Sequence, residues 1–260
     1  MKTVLLTGSE GYIGKNFQEL YKDKYNFICL DKKLNKKAED FQEFDQQIDY
    51  IIHLAAISGL AKCDENVDQT YIDNISSTIH LMKAAWAFNI PMIYASSQAA
   101  KSPQSSLYST TKRIGEVEAE RYNKQYGNIK VLRLSNVYGG NHYLKYKSSV
   151  ISKFVNAKMK NEPLTVHGDG SQTRDLIHVF EVCRCIDMCL NNTPILAPVD
   201  VGTGISRSIK EVAEKISDNI EYDKEVGIGV SDNIANPEMI KSIMGFEAED
   251  KLDDYLNNVW

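Results

Sequence analysis

Three glycines, Gly8, Gly11 and Gly14, follow the apolar run TVLL and open the amphipathic stretch GKNFQELYKDKY. No other feature constrains the fold as strongly. An apolar run this short reads as a buried strand, and the stretch after the glycines reads as a helix. Glycine permits the tight turn between them and lets main-chain N–H groups at the helix start approach an anion, which the helix dipole favours. The next apolar run, FICL, ends in Asp31, 17 positions beyond Gly14. A carboxylate at that distance accepts both hydroxyls of an adenosine ribose and repels a 2′-phosphate. NAD is therefore the expected cofactor, with NADP disfavoured. Lys32 and Lys33 read as solvated surface charges.

The same rhythm recurs through the first half: YIIHLAA then TYIDNISSTIHLMKAAWAFN, MIYASS then YSTTKRIGEVEAERYNKQYG, and finally KVLRLS. Alternating strand and helix signals predict a parallel sheet with helices on both faces. After Tyr138 the rhythm changes to a helix-like SSVISKFVNAKMK, a strand-like LTVHG, the polar turn DGSQTRD and a helix in the later part of 176–190. PVDVG reads as a short strand. Ser208 with Glu211 opens the helix SIKEVAEKIS in a capping-box pattern, and two short helices flank Gly245 and Phe246.

Tyr108 and Lys112 stand four apart at a helix start and share one face. An ammonium beside a phenol, together with an oxidised nicotinamide, favours phenolate, which makes a general base for a carbinol proton while hydride leaves to the cofactor. The pair alone also suits an exposed helix. Ser96 and Ser97 close the strand MIYASS, at the carboxyl edge where ligands of such sheets bind, and Ser97 can donate to an oxygen that changes between alcohol and ketone. The three residues together are far more specific than any two.

With these segments in hand, the chain resembles the extended short-chain dehydrogenase/reductase family and, within it, the nucleotide-sugar epimerase/dehydratase group. TGSEGYIG, IHLAA at the family's fourth strand, YIDNISSTIHLMKAA, SSQ, YSTTK, RLSNVYG, GDGSQTRDLIHV and VGTG carry the resemblance. It implies a Rossmann-type α/β fold, a doubly wound parallel sheet with a small C-terminal substrate lobe. Residues 1–139 plus 175–205 would form the NAD-binding domain, and 140–174 plus 206–260 the lobe. It implies Ser97, Tyr108 and Lys112 as catalytic residues. Gly8, Gly11, Tyr12, Ile13, Gly14, Asp31, Leu54, Ala55, Ala56 and Asn74 would serve the cofactor, together with Tyr108 and Lys112. Asn136 and Arg174, with Ser97, would contact a nucleotide-diphosphate sugar; read without the family, Arg174 beside Asp175 is a structural ion pair. A homodimer is implied through the YIDNISSTIHLMKAAW helix and the Tyr108 helix, with Ile114, Val117 and Tyr122 on recurrent positions.

Departures from the group narrow the chemistry. Gln98 and Ala99 stand where 4,6-dehydratases carry Asp-Glu, and Gln98 and Ser149 where GDP-sugar epimerase-reductases carry Cys and His. Ala100, Lys101 and Ser102 replace the usual V-Y-G. The chain is short for the group, with the shortening expected mainly before NPEMIKSIMGF, and no arginine follows Arg207. Lys224 or Lys241 would then supply the second diphosphate cation, or the ligand is held differently. The expected activity is an NAD-dependent nucleotide-sugar 4-epimerase. The alternatives are a nucleotide 4-keto-sugar reductase or a silent cofactor-binding module, the latter disfavoured by the intact Ser97, Tyr108 and Lys112 set.

Composition bounds the rest. A net charge of -5 over 260 residues makes no electrostatic trap for nucleic acid, and no run of about 18 apolar residues marks a membrane span. The five cysteines form no CxxC pair, so the expectations are no metal site and a reducing, cytoplasmic compartment.

Overall fold

The computed structural model describes residues 1–38, 41, 47–141, 149–191, 194–224 and 234–260. The first half runs β1 (Lys2–Thr7), α1 (Tyr12–Tyr21), β2 (Tyr25–Leu30), β3 (Tyr50–His53), α2 (Leu60–Glu65), α3 (Val67–Tyr71), α4 (Ser77–Ala87), β4 (Met92–Ser97), α5 (Leu107–Tyr126) and β5 (Ile129–Leu134). β6 (Asn136–Tyr138), α6 (Val150–Met159), β7 (Leu164–His167), β8 (Thr173–Arg174), β9 (Leu176–His178), α7 (Val179–Leu190) and β10 (Val199–Val201) follow. β11 (Arg207–Ser208), α8 (Ile209–Ile216), β12 (Ile220–Asp223), α9 (Glu238–Met244) and α10 (Leu252–Asn258) complete the described elements.

Six parallel strands form the central sheet in the order β10-β5-β4-β3-β1-β2. The chain moves outward from β1 to β2 and then crosses to the other flank of β1 as β3. Connections leave in opposite directions at that point, which opens a crevice beyond the carboxyl ends of β1 and β3. IHLAA thus begins in β3, the third strand in chain order among the described residues. Between Leu30 and Tyr50 the described residues hold a 3₁₀ turn at Lys32–Leu34 and a bridge from Asp31 to Lys36.

Strands buried on both faces need apolar residues on both, and helices to cover them. Val4, Leu6, Ile52 and Ile93 face α1 and α7, where Phe17, Val182, Cys183 and Ile186 are buried. Leu5, Ile51, Met92 and Val131 face α4 and α5, packing with Leu81, Met82, Ala119 and Tyr122. Tyr122 is thereby core, not part of an outer surface. A third cluster joins Ile151, Phe154, Leu164, Val166, Val212, Ile216, Leu252 and Leu256. Ile240 and Phe246, from α9 and the turn after it, bury instead with the α1 and α7 side of the sheet.

Ser208 caps α8 by accepting from the Glu211 N–H at 3.0 Å. The Glu211 carboxylate pairs with Arg207 rather than closing a capping box. Among the described residues, no helix is long and apolar enough to cross a membrane, and no group of three metal-ligating side chains is found.

Candidate active site

A cavity of about 450 Å³ lies in the crevice. Gly8, Gly11, Tyr12, Ile13, Gly14, Asp31, Leu54, Ala55, Ala56, Ser97, Tyr108 and Lys112 all line it. Gly8 has φ +69°, and a Cβ there would sit 2.7 Å from the Ala55 nitrogen, so only glycine lets β1 end against the cavity wall. At Gly14 a Cβ would stand 2.3 Å from the Gly8 carbonyl oxygen. α1 has Gly11 at its N-cap, with no side-chain cap and no acid in its first turn, which leaves its end suited to an anion such as a pyrophosphate. The buried Ser135 hydroxyl, also on the wall, has no hydrogen-bond partner among the described residues. These features fit a dinucleotide.

Asp31 accepts from the Glu10 N–H at 3.0 Å with one oxygen and from the Lys33 N–H at 2.9 Å with the other. The carboxylate therefore holds the glycine loop and the 3₁₀ turn together while facing the cavity. Its lysine neighbours are not merely solvated: both line the cavity. Lys32 pairs with Asp73 at 2.6 Å, and Lys33 reaches the Glu10 carbonyl at 3.1 Å.

A π-helical turn, Ile72–Ser76, turns the consecutive residues Asp73 and Asn74 inward. Asn74 lies behind the cavity wall rather than on it. Its side chain accepts from the Ile57 N–H at 2.8 Å and donates to the Ile57 carbonyl at 3.0 Å. Ile57 and the adjacent Ser58 form wall that the sequence reading missed.

The other end of this wall is fixed through His53. Thr78 donates its hydroxyl proton to the Asn74 carbonyl at 2.8 Å, so it accepts from His53 Nε2–H at 2.9 Å. Nδ1 is then the acceptor for the Thr7 hydroxyl at 2.6 Å, and Thr7 Oγ1 in turn accepts from the Ala55 N–H at 3.2 Å. The relay needs a neutral imidazole. Complete burial, with a smaller push from the Lys112 charge, holds His53 down to about 3.

Lys112 donates from Nζ to the Ala95 carbonyl at 2.7 Å and stands 5.9 Å from the centre of the Tyr108 ring. Burial pulls the ammonium down to about 8, against the upward pull of Cys63 and Glu116. Burial pushes the Tyr108 phenol up to about 12, and a hydrogen bond with Ser97 opposes this only in part. The phenol is thus protonated at neutral pH in this state. The lysine alone does not produce the phenolate, for which the charge of an oxidised nicotinamide is also expected.

Of the remaining expected contacts, Asn136 and Arg174 are not on the cavity wall. Asn136 donates from its side chain to the Asp175 carbonyl at 3.2 Å, and Arg174 donates to the Thr173 carbonyl at 2.7 Å. Asp175 is buried and accepts from Thr203, Gly204 and Ala235, so a simple Arg174–Asp175 pair is not what orders this segment. Lys241 is engaged at the surface with Glu247 at 2.9 Å.

Residues 4–201 match the model of the NAD dependent epimerase/dehydratase family. A Methanocaldococcus jannaschii protein provisionally named a UDP-glucose 4-epimerase is 30% identical over 254 residues, spanning 84% of this chain and 83% of that protein. A dTDP-4-dehydro-6-deoxy-D-allose reductase of Streptomyces bikiniensis is 24% identical, covering 95% and 92% of the two chains. In fold, the chain is similar to a UDP-glucuronic acid 4-epimerase from Bacillus cereus solved with UDP-glucuronic acid and NAD. The TM-score is 0.82 at 23% identity, over 98% of this chain and 96% of that one.

Proposed function

The chain belongs to the NAD dependent epimerase/dehydratase family, and from that premise we propose that it is an NAD-dependent 4-epimerase of nucleotide-diphosphate sugars. The observation that carries this reading is the convergence of Ser97, Tyr108 and Lys112 on the cavity that also holds the glycine loop and Asp31. In this reading Ser97 donates to the C4 oxygen and Tyr108 takes the C4 hydroxyl proton. The Lys112 ammonium stabilises the phenolate and contributes donors to the cofactor ribose. When bound, NAD supplies the hydride acceptor for C4 and the added positive charge that favours phenolate. Tyr108 returns the proton after the 4-keto sugar has turned its other face.

The small lobe, residues 140–174 with 206–260, is assigned to the sugar nucleotide, with Asn136 and Arg174 as contacts; guanidinium suits diphosphate oxygens. The cluster around Ile151 and Val212 supports a separate lobe, although Ile240 and Phe246 pack with the dinucleotide domain of residues 1–139 with 175–205. The homodimer is part of the same reading. Val117 and Trp86 are exposed on α5 and α4, and Trp86 lies 5.0 Å from the Tyr126 ring. Four buried free thiols, at Cys63, Cys183, Cys185 and Cys189, suit a reducing compartment and support a cytoplasmic location.

A nucleotide 4-keto-sugar reductase is the second reading. Lys32 and Lys33 on the cavity wall favour it, because cations beside Asp31 ease the entry of a 2′-phosphate. Conversion of C4 configuration with catalytic NAD, and without net nicotinamide turnover, distinguishes the two.

A further inference from the structure

Two turns beyond Tyr108 and one beyond Lys112, α5 carries Glu116 on the same side, with no exposed surface. Each of its oxygens accepts two hydrogen bonds. Oε1 takes them from Ser96 Oγ at 2.7 Å and Arg133 Nε at 2.8 Å; Oε2 takes them from Arg133 Nη2 at 2.7 Å and Arg113 Nη1 at 2.9 Å. Ser96 lines the cavity and immediately precedes Ser97, and it stands beside Arg133 in the β4–β5 register. One carboxylate therefore ties the helix, the strand end and the neighbouring strand. Desolvating a carboxylate is costly, and an apolar side chain of similar size would pack a helix on a sheet as well or better. Packing alone does not account for it.

We propose that Glu116 is a positioning residue, fixing the helix turns of Tyr108 and Lys112 against the strand end of Ser97 and placing a buried negative charge on the Lys112 side. The proposal rests on the assignment of Lys112 to the active site. Around Lys112 stand Cys63 from α2, Tyr94 and the Ala95 carbonyl from β4, His53 from β3, and Tyr108 and Glu116 from its own helix. Around Glu116 stand Arg113, Arg133 and Ser96. Glu120 lies 3.5 Å from Arg113, and Asp200 of β10 lies 4.0 Å from Arg133. Glu116 opposes the burial that drives the ammonium toward its neutral form. Without that charge Lys112 gives up its proton at lower pH.

NMR of protein labelled with ¹³C at lysine Cε reads this directly, needing neither substrate nor turnover. The Lys112 signal is identified by its loss in Lys112→Met. Glu116→Gln keeps the shape and removes the charge; it should raise the Lys112 acid dissociation constant by about threefold or more. NAD affinity should then fall at lower pH than in the wild type. Ser96→Ala keeps the carboxylate and should leave the Lys112 midpoint unchanged. Should Glu116→Gln fail to fold, Arg133→Gln provides the opposite sign, since it removes a cation and should move the midpoint to higher pH. An unchanged midpoint in whichever of these two charge variants folds would overturn the proposal. So would a shift in Ser96→Ala as large as that in Glu116→Gln. Wild-type turnover in Lys112→Met would instead overturn the active-site assignment, and leave the Glu116 measurement standing.

Discussion

The Lys112 ammonium and the Ala95 carbonyl are joined at 2.7 Å, which pins the head of the lysine two residues before Ser97 on β4. An ammonium has three donors. With one fixed on the main chain, its orientation is set before any ligand arrives and the other donors remain for the cavity. The proposed proton transfer depends on this preorganisation, because the buried phenol nearby does not ionise unaided.

Tyr108→Phe should retain the fold and bind NAD within about twofold of the wild type, since the ring remains and only the hydroxyl is lost. Turnover of a 4-hydroxy nucleotide sugar should fall by about 10²-fold or more. Steady-state rates alongside NADH fluorescence titration check both halves of this statement.

Asp31 should make NAD bind more tightly than NADP. In Asp31→Ala the gap should narrow as repulsion of the 2′-phosphate disappears. The variant also takes the acceptor from the part-buried Glu10 N–H and the exposed Lys33 N–H, so a loss of about 0.5–1.5 kcal/mol in stability is expected with it. Calorimetric titration of both cofactors, with urea denaturation of both proteins, tests the pair of effects.

Stability should fall as the solution is acidified below the ordinary histidine range. His53 is held to about 3 and His178 to about 4, both mainly by burial. Between those values and about 6.5 the unfolded chain binds protons that the folded chain does not, so unfolding becomes easier as pH drops. Urea midpoints measured across that interval should decline, and His53→Gln should flatten the decline. A His53→Gln slope equal to that of the wild type would remove the buried imidazole as a cause.

The strands, the helices that cover them and the glycine loop were legible because each has a local period or a local backbone requirement. That Ser97, Tyr108 and Lys112 line one cavity was legible because strand end and helix start are both read from sequence, and sheet topology then joins them. What failed was decided by neighbours distant in sequence. Lys32 reads as a solvated charge until the π-helical turn brings Asp73 to it. The relay through His53 links β1, β3 and α4, which no spacing reveals. Tyr122 stands five positions beyond exposed Val117, about 140° round α5 from it, so one turns into the core and the other outward.

The homodimer is read by sedimentation at micromolar concentration. A two-chain mass is expected, and Val117→Glu should shift it toward one chain by placing charge in the proposed contact. A single-chain mass for the wild type would contradict the assignment.

The epimerase reading is tested most directly by incubating the protein with UDP-hexoses and substoichiometric NAD while following C4 configuration by NMR and nicotinamide absorbance together. Interconversion of the C4 epimers with no net change in absorbance is the predicted result. Inertness toward every 4-hydroxy sugar, with loss of a 4-keto sugar matched by consumption of NADH or NADPH, would contradict it and establish the reductase.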